Sequence, residues 1–420
     1  MNIETQVLHE GYTPKNGEPR VMPIYQSTTY VYDSTDAVAD VFDDPTLGMI
    51  YSRFENPTTD AVEKKIAALE GGAAAMCTSS GQAASMLSIL NLCDAGDHFI
   101  SSSSIYGGTV NLFAFTFKKM GIECTFVDVD ASEEEIKAAI RPNTKCVFGE
   151  TIANPALTVL DIEKWARAAH SAGIPLIVDN TFATPILCRP IEWGADIVVH
   201  STSKYMDGHA VQVGGVIVDS GKFDWTKSGR FPGLTEPDES YHGIVYTEKY
   251  PVPYITKARM QLMRDFGCYP AANSSFLLNL GLETLAVRMP RYCENGLKVA
   301  KYIEGTGKIE SIKYAGLESD KHHKLAEKYL PDGCCGVISF SVGTRERAVK
   351  FMDALKLASN EVHVADIRTC VLNPASATHR QLTDEQLVAA GIDPGLIRFS
   401  VGLENVDDII ADLEQAFAQI

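Results

Sequence analysis

The chain has 420 residues, 45% of them hydrophobic and 22% charged, with a formal net charge of −17. That length suits two domains plus an arm rather than one simple domain. The acidic balance is spread along the chain and argues against nucleic acid or anionic membrane as a partner.

No run approaches the ~18 apolar residues of a membrane span. The opening MNIETQVLHEGY has neither the basic start nor the apolar core of a signal peptide. Ten scattered cysteines show no CxxC spacing, and Cys334 and Cys335 are adjacent. They read as reduced, mostly buried thiols, so the expected location is the cytoplasm. HExxH is absent, and His322 and His323 sit in a charged, exposed segment, DKHHK, so no metal is expected.

In chain order, residues 1–50 read as irregular, with Pro14, Pro19 and Pro23, yet MPIYQSTTYVYDS is too aromatic for a disordered tail. Such an arm is expected to pack on a partner subunit. YSRFENP at 51–57 precedes a helix started by Asn56 and Pro57 and stopped by Gly71 and Gly72. CTSSGQA at 77–83 leads into an apolar helix over 84–92. Free N–H groups and the helix dipole make that start an anion site, which assigns Gly81 and Gln82 to a phosphate.

Strands are expected at 98–101, 124–127 and 145–148, the last ending in GETIANP, where Glu150 and Asn154 reach the sheet edge. A helix over 162–172 follows. Two β-branched apolar runs, 174–178 and 195–199, then lack the polar alternation of half-exposed strands. They read as strands buried on both faces of a parallel sheet. The first ends in Asp179, the second in His200, Ser201, Thr202, Ser203 and Lys204.

Parallel sheets collect chemistry at the carboxyl ends of their strands. An amine there can form a Schiff base with an aldehyde cofactor. Hydroxyls can hold a phosphate, and a buried carboxylate can keep a pyridine nitrogen protonated. Those are the attachments of pyridoxal 5'-phosphate. Taken singly, Asp179 also suits a loop cap and Lys204 a surface lysine; their arrangement favours the cofactor.

Residues 231–243, FPGLTEPDESYHG, read as a polar surface loop or lid. Pro251 and Pro253 mark a boundary. Beyond it, a helical segment over 271–302, strands at 337–342 and 397–402, and helices over 345–357 and 406–417 describe a smaller α+β domain. Arg398, inside an apolar strand, suits a bidentate fork for a substrate carboxylate.

VDNTFATP followed by GADIVVHSTSKYMDGH resembles the lysine motif of the Cys/Met-metabolism family of pyridoxal-phosphate enzymes. The resemblance covers nearly the whole chain and implies a fold type I, α/β transferase. Its large doubly wound, mostly parallel sheet would span 58–252, a smaller α+β domain 253–420, and an arm 1–57 would serve a neighbouring subunit. It implies that Tyr51 and Arg53 reach a neighbour's cofactor phosphate and Tyr51 also its substrate. Tyr106 would stack on the cofactor ring and act on the leaving group, and Asn154 would touch the ring oxygen. Ser201 and Ser203 would bind cofactor beside Asp179, and Lys204 would move the substrate's Cα proton.

Residues 231–243 resemble the O-acetylhomoserine sulfhydrylase branch, and Gly108 stands where methionine γ-lyases carry Cys. The expected reaction is therefore γ-replacement of acetate by sulfide on O-acetyl-L-homoserine, giving L-homocysteine in methionine biosynthesis, by a homotetramer built from dimers. Methionine γ-lyase and cystathionine chemistry are the alternatives, and a non-catalytic cofactor-binding scaffold is a third. One departure is local. His363 stands where relatives place Ser or Asn before a Gly-Asp pair, and Ala365 replaces the Gly.

Overall fold

The computed structural model describes residues 1–44, 47–377 and 393–420. Thr378 and His379, part of a turn expected near Arg398, lie outside the described residues. Seven strands form the large sheet: β1 Ala74–Thr78, β2 His98–Ser102, β3 Glu123–Val127, β4 Thr144–Glu150, β5 Leu176–Asp179, β6 Ile197–Ser201 and β7 Gly215–Asp219. Their order is β1-β7-β6-β5-β4-β2-β3. Neighbours from β6 through to β3 are parallel, and β7 runs antiparallel to both β1 and β6.

Every residue of β2 and β7 is buried, as are the apolar residues of β5 and β6, so both faces of the sheet are covered. That is why β5 and β6 read as apolar stretches without polar alternation. Around β2 and β4, Phe99, Phe113 and Phe148 meet edge to face, with centroids 4.8 and 5.1 Å apart.

The helix Pro57–Glu70 forms where expected. Asn56 caps it by accepting from Thr58 N–H at 3.0 Å, and Gly71 closes it in the left-handed region at φ 72°. The arm is less irregular than its prolines suggest, because Ile3–His9 and Thr35–Asp43 are helices and Val7 is buried. Strand β1 is unannounced by its small residues and exists through its register with β7. His322 is also a correction: it is buried, within 2.9 Å of Asp130.

The smaller sheet holds β8 Ser311–Lys313, β9 Val337–Ser341, β10 Ser359–Asn360, β11 Cys370–Leu372 and β12 Leu396–Ser400, in the order β10-β11-β12-β9-β8. Only the β10–β11 pair is parallel. The turn after β6 is fastened to this half of the molecule. Gly336 N–H donates to Tyr205 Oη at 2.9 Å, and Ile367 N–H donates to the Gly208 carbonyl at 2.8 Å. Buried Arg288 donates to the carbonyls of Tyr205, Met206 and Gly281 at 2.7, 3.2 and 2.7 Å. Lys204 is thus held between the two sheets.

Candidate active site

A cavity of about 750 Å³ opens at the carboxyl ends of β4, β5 and β6. Its wall contains Gly81, Gln82, Tyr106, Asn154, Asp179, Ser201, Ser203, Lys204 and Arg398. The fold therefore gathers nine of the eleven site residues expected from sequence. Tyr51 and Arg53 are not among them. Tyr51 is 40% exposed, and Arg53 turns to the Arg264 carbonyl and lies over the Tyr51 ring, 5.7 Å from its centroid.

Strand register explains the acidic corner. Glu150 and Asp179 are neighbours at the ends of β4 and β5. Asp179 Oδ1 accepts from Thr181 N–H at 2.9 Å and from Thr181 Oγ1 at 2.5 Å. Burial raises the Asp179 pKa, while the Thr181 donors and nearby His200 oppose the rise. Burial first, and then Asp179 itself, push Glu150 well above the ordinary carboxylate range. Two carboxyls this close cannot both ionise cheaply, and the upward push is the greater at Glu150.

Glu150 is also a fastener. It accepts from Tyr106 N–H at 2.6 Å and from Asn154 N–H at 3.2 Å, so one carboxyl positions two wall residues. Sequence reasoning brought Glu150 to the edge but missed this double acceptance, whose donors lie 44 and 4 residues away. Thr181 was missed too, although an Asp followed two residues later by Thr is an Asx-turn signal.

At the opposite end, the helix Gly81–Leu90 begins three residues earlier than its apolar run. Ser80 caps it, accepting from Ala83 N–H at 3.1 Å. A Cβ at position 81 would stand 2.5 Å from Ser201 Cβ, so only glycine lets the helix start lie against β6. First-turn N–H groups and the dipole make this helix start an anion cradle; Ser201 and Ser203 lie on the wall beside it, the Ser203 hydroxyl donating to the Gly214 carbonyl at 3.3 Å and accepting from Gly214 N–H at 2.9 Å. Gln82 Nε2 donates to the Gly108 carbonyl at 3.0 Å, which ties the cradle to the Tyr106 loop. A Cβ at Gly108 would reach within 2.5 Å of the Tyr106 ring.

Burial, then the charge of Arg398, bring the Lys204 amine down to about 8. Arg398, on β12, is itself lowered by burial. Its described partners are oxygens of neutral groups: Asn154 Oδ1 at 3.4 Å and the carbonyls of Val362 and His363 at 2.9 and 3.0 Å. Residues 231–243 supply none of the wall. They are pinned elsewhere, through Asp238 to the Tyr246 hydroxyl at 2.8 Å and through buried Phe231 and Leu234.

An amine of lowered pKa, a half-buried carboxylate and an anion cradle, all on one cavity, fit pyridoxal phosphate. Among the described residues no group of acids, histidines or cysteines is placed to hold a metal, and no helix is long and apolar enough to cross a membrane. All ten cysteines are free thiols, eight of them buried.

The chain is 43% identical to O-acetyl-L-homoserine sulfhydrylase of Leptospira meyeri, covering 99% of this chain and 97% of the relative. It is 47% identical to homocysteine synthase of Schizosaccharomyces pombe, covering 99% and 98%. The crystal structure of a putative O-acetylhomoserine (thiol)-lyase from Campylobacter jejuni, which carries N'-pyridoxyl-lysine-5'-monophosphate, superposes with a TM-score of 0.95 at 37% identity over 100% of both chains. The profile of the Cys/Met metabolism PLP-dependent enzymes matches residues 4–418, and the chain belongs to that family.

Proposed function

We propose that this protein is an O-acetyl-L-homoserine sulfhydrylase, replacing acetate at Cγ with sulfide to give L-homocysteine, with pyridoxal phosphate as cofactor. The observation that carries the reading is a single cavity holding Lys204, Asp179 and Arg398. Full-length relatedness to sulfhydrylases supports the choice of substrate.

When bound, the cofactor supplies an aldehyde for amines and a ring that accepts the electrons released at the substrate's Cα. Asp179 holds the proton on the ring nitrogen. Gly81 and Gln82 N–H groups and the Ser201 and Ser203 hydroxyls would hold the phosphate, and Asn154 would serve the ring oxygen. Arg398 takes the α-carboxylate in a bidentate fork. Lys204, its amine freed of much of its basicity by burial, carries the proton at Cα. Tyr106 would cover the cofactor ring and assist the proton shift at Cβ that lets acetate leave. Hydrosulfide then adds at Cγ, and protons return to Cβ and Cα to give L-homocysteine and acetate.

Assembly belongs to the same proposal. Val21, Ile24, Tyr25 and Val31 are 57%, 41%, 47% and 99% exposed, an apolar arm suited to a second copy. In a homotetramer built from dimers, residues 1–57 would bring Tyr51 and Arg53 to a neighbour's phosphate, while 58–252 and 253–420 form the cofactor and C-terminal domains. The free thiols suit the cytoplasm. The test offers cofactor-loaded protein O-acetyl-, O-succinyl- or O-phosphohomoserine with sulfide. Homocysteine is expected chiefly from the acetyl ester. Its absence from all three would overturn the reading.

A further inference from the structure

The segment 51–57 is held from two sides. On the arm side, Ser52 N–H donates to the Thr28 carbonyl at 2.9 Å, and Asn56 Nδ2 donates to the Tyr25 carbonyl at 2.9 Å and to the Ser52 hydroxyl at 3.0 Å. Among the described residues, 51–55 make two hydrogen bonds beyond the arm: Arg53 donates to the Arg264 carbonyl, and the Phe54 carbonyl accepts from Arg259 Nη1 at 2.7 Å.

Arg259 rises from the π-helical stretch Ala258–Met263, and its guanidinium is itself fixed. Nη2 donates to Glu63 Oε2 at 2.6 Å and to the Ala75 carbonyl at 3.3 Å. The other Glu63 oxygen accepts from Cys77 N–H at 2.7 Å. Glu63 is buried, and the Arg259 side chain is 17% exposed. A guanidinium is a rigid planar fork. With Nη2 spent on β1 and on the acid that grips β1, Nη1 offers its donor at one place relative to the large sheet. The Phe54 carbonyl occupies that place.

The other body contact is conditional. Arg53 lies over the Tyr51 and Phe54 rings, 5.7 and 5.5 Å from their centroids, and spends a donor on the Arg264 carbonyl. An Arg53 that swings out to a phosphate leaves that carbonyl. The bond from Arg259 then carries the connection of 51–55 to the sheet. β1 itself stays in place without Arg259, through five residue pairs with β7.

We propose that Arg259 is a positioning residue for the neighbouring subunit's cofactor site: by holding the Phe54 carbonyl it sets the reach of Tyr51 and Arg53, so its effect falls on the neighbour's phosphate rather than on that of its own subunit. This rests on the reading that Tyr51 and Arg53 serve a neighbour, and it adds what holds them there.

Two differently tagged chains are co-expressed and purified as mixed assemblies. One carries Arg53→Ala and keeps Lys204; the other carries Lys204→Ala and keeps Arg53. A complete site forms only where Lys204 of the first chain meets Arg53 of the second. Arg259→Met is then placed in either chain. Burial pushes the Glu63 carboxyl up to about 7, so it can take up a proton once its partner is removed. Pyridoxal phosphate captured on Lys204 is fixed with borohydride and counted by absorbance, which gives its half-saturating concentration.

With Arg259→Met in the chain that donates Arg53, this concentration should rise about tenfold, the worth of one misplaced charged hydrogen bond. With the same substitution in the chain that keeps Lys204, it should be unchanged. A general loss of folding would strike the Lys204 chain's own cradle first, so it cannot produce that asymmetry. Arg259→Lys keeps a cation for Glu63 without the fork, and it should show the same one-sided loss where the Met variant fails to fold. Equal losses in both placements, a loss confined to the Lys204 chain, or no loss in either would overturn the proposal. If mixing the two parent chains restores no tight capture, the neighbour reading fails by itself and this proposal falls with it. Restored capture that is indifferent to Arg259 overturns the proposal alone.

Discussion

The depressed Lys204 pKa makes a quantitative prediction for cofactor capture. An ordinary lysine at 10.5 is about 1 part in 3,000 unprotonated at pH 7, whereas one at about 8 is about 1 part in 10. At equal intrinsic nucleophilicity, Lys204 should therefore react with an aldehyde about 300-fold faster than a solvated lysine at that pH. The assay follows capture of pyridoxal phosphate by cofactor-stripped protein across the neutral and alkaline range, with Lys204→Ala subtracting every other amine. The Lys204-dependent rate should rise with pH and level off above an inflection near 8. A rate still climbing toward 10.5 would refute the reasoning.

The same shift sets a sign for stability. Between 8 and 10.5 the unfolded chain binds the lysine proton and the folded, cofactor-free chain does not, so stability should increase with pH through that window. The penalty, at most about 3 kcal/mol, is fully present below the folded value and relieved above the unfolded one.

Three substitutions probe the supports of the site. Asp179→Asn keeps an acceptor for Thr181 but cannot hold a proton on the cofactor's ring nitrogen; kcat should fall by about 100-fold or more in steady-state assays, and an unchanged kcat would contradict the assignment. Gly81→Ala puts a Cβ 2.5 Å from Ser201 Cβ and 2.7 Å from its Cα, and the backbone contact leaves no rotamer to relieve it. Thermal unfolding should show a loss of about 1–3 kcal/mol, with weaker cofactor retention. Arg288→Met strands the carbonyls of Tyr205 and Met206 in the interior, whereas the Gly281 carbonyl still accepts from the Thr284 hydroxyl at 3.2 Å. At about 1–3 kcal/mol for each unpaired group, urea unfolding should register about 2 kcal/mol or more, and a loss under about 1 kcal/mol would show that the two are satisfied otherwise.

The sheet that carries the site was legible because its strands are buried on both faces, which left 174–178 and, but for Asp196, 195–199 as apolar runs without polar alternation. Their ends were not legible. The ladders continue through Asp179 and Ser201, since backbone pairing is indifferent to a polar side chain, and those added residues are the ones facing the cavity. β1 was missed because AAMCT has no branched run of its own and is a strand only against Gly215–Asp219. The arm's helices were hidden by the prolines between them, although Val7 packs into the core.

Lys204 and Arg398 were found from their local settings, a strand end and an apolar strand. Glu150's hold on Tyr106 and the His363–Lys204 contact join residues 44 and 159 positions apart. Only the folded backbone brings such pairs together. The sequence marked His363 as a departure without revealing its partner.

Product partition separates replacement from elimination at Cγ. Holoenzyme would be given O-acetylhomoserine with and without sulfide, and methionine alone, with homocysteine and 2-oxobutyrate quantified together. The account predicts homocysteine as the dominant product whenever ester and sulfide are both present, with little 2-oxobutyrate from methionine. Methionine turned over to 2-oxobutyrate and methanethiol at a rate comparable to the ester's would contradict it and make the protein a lyase.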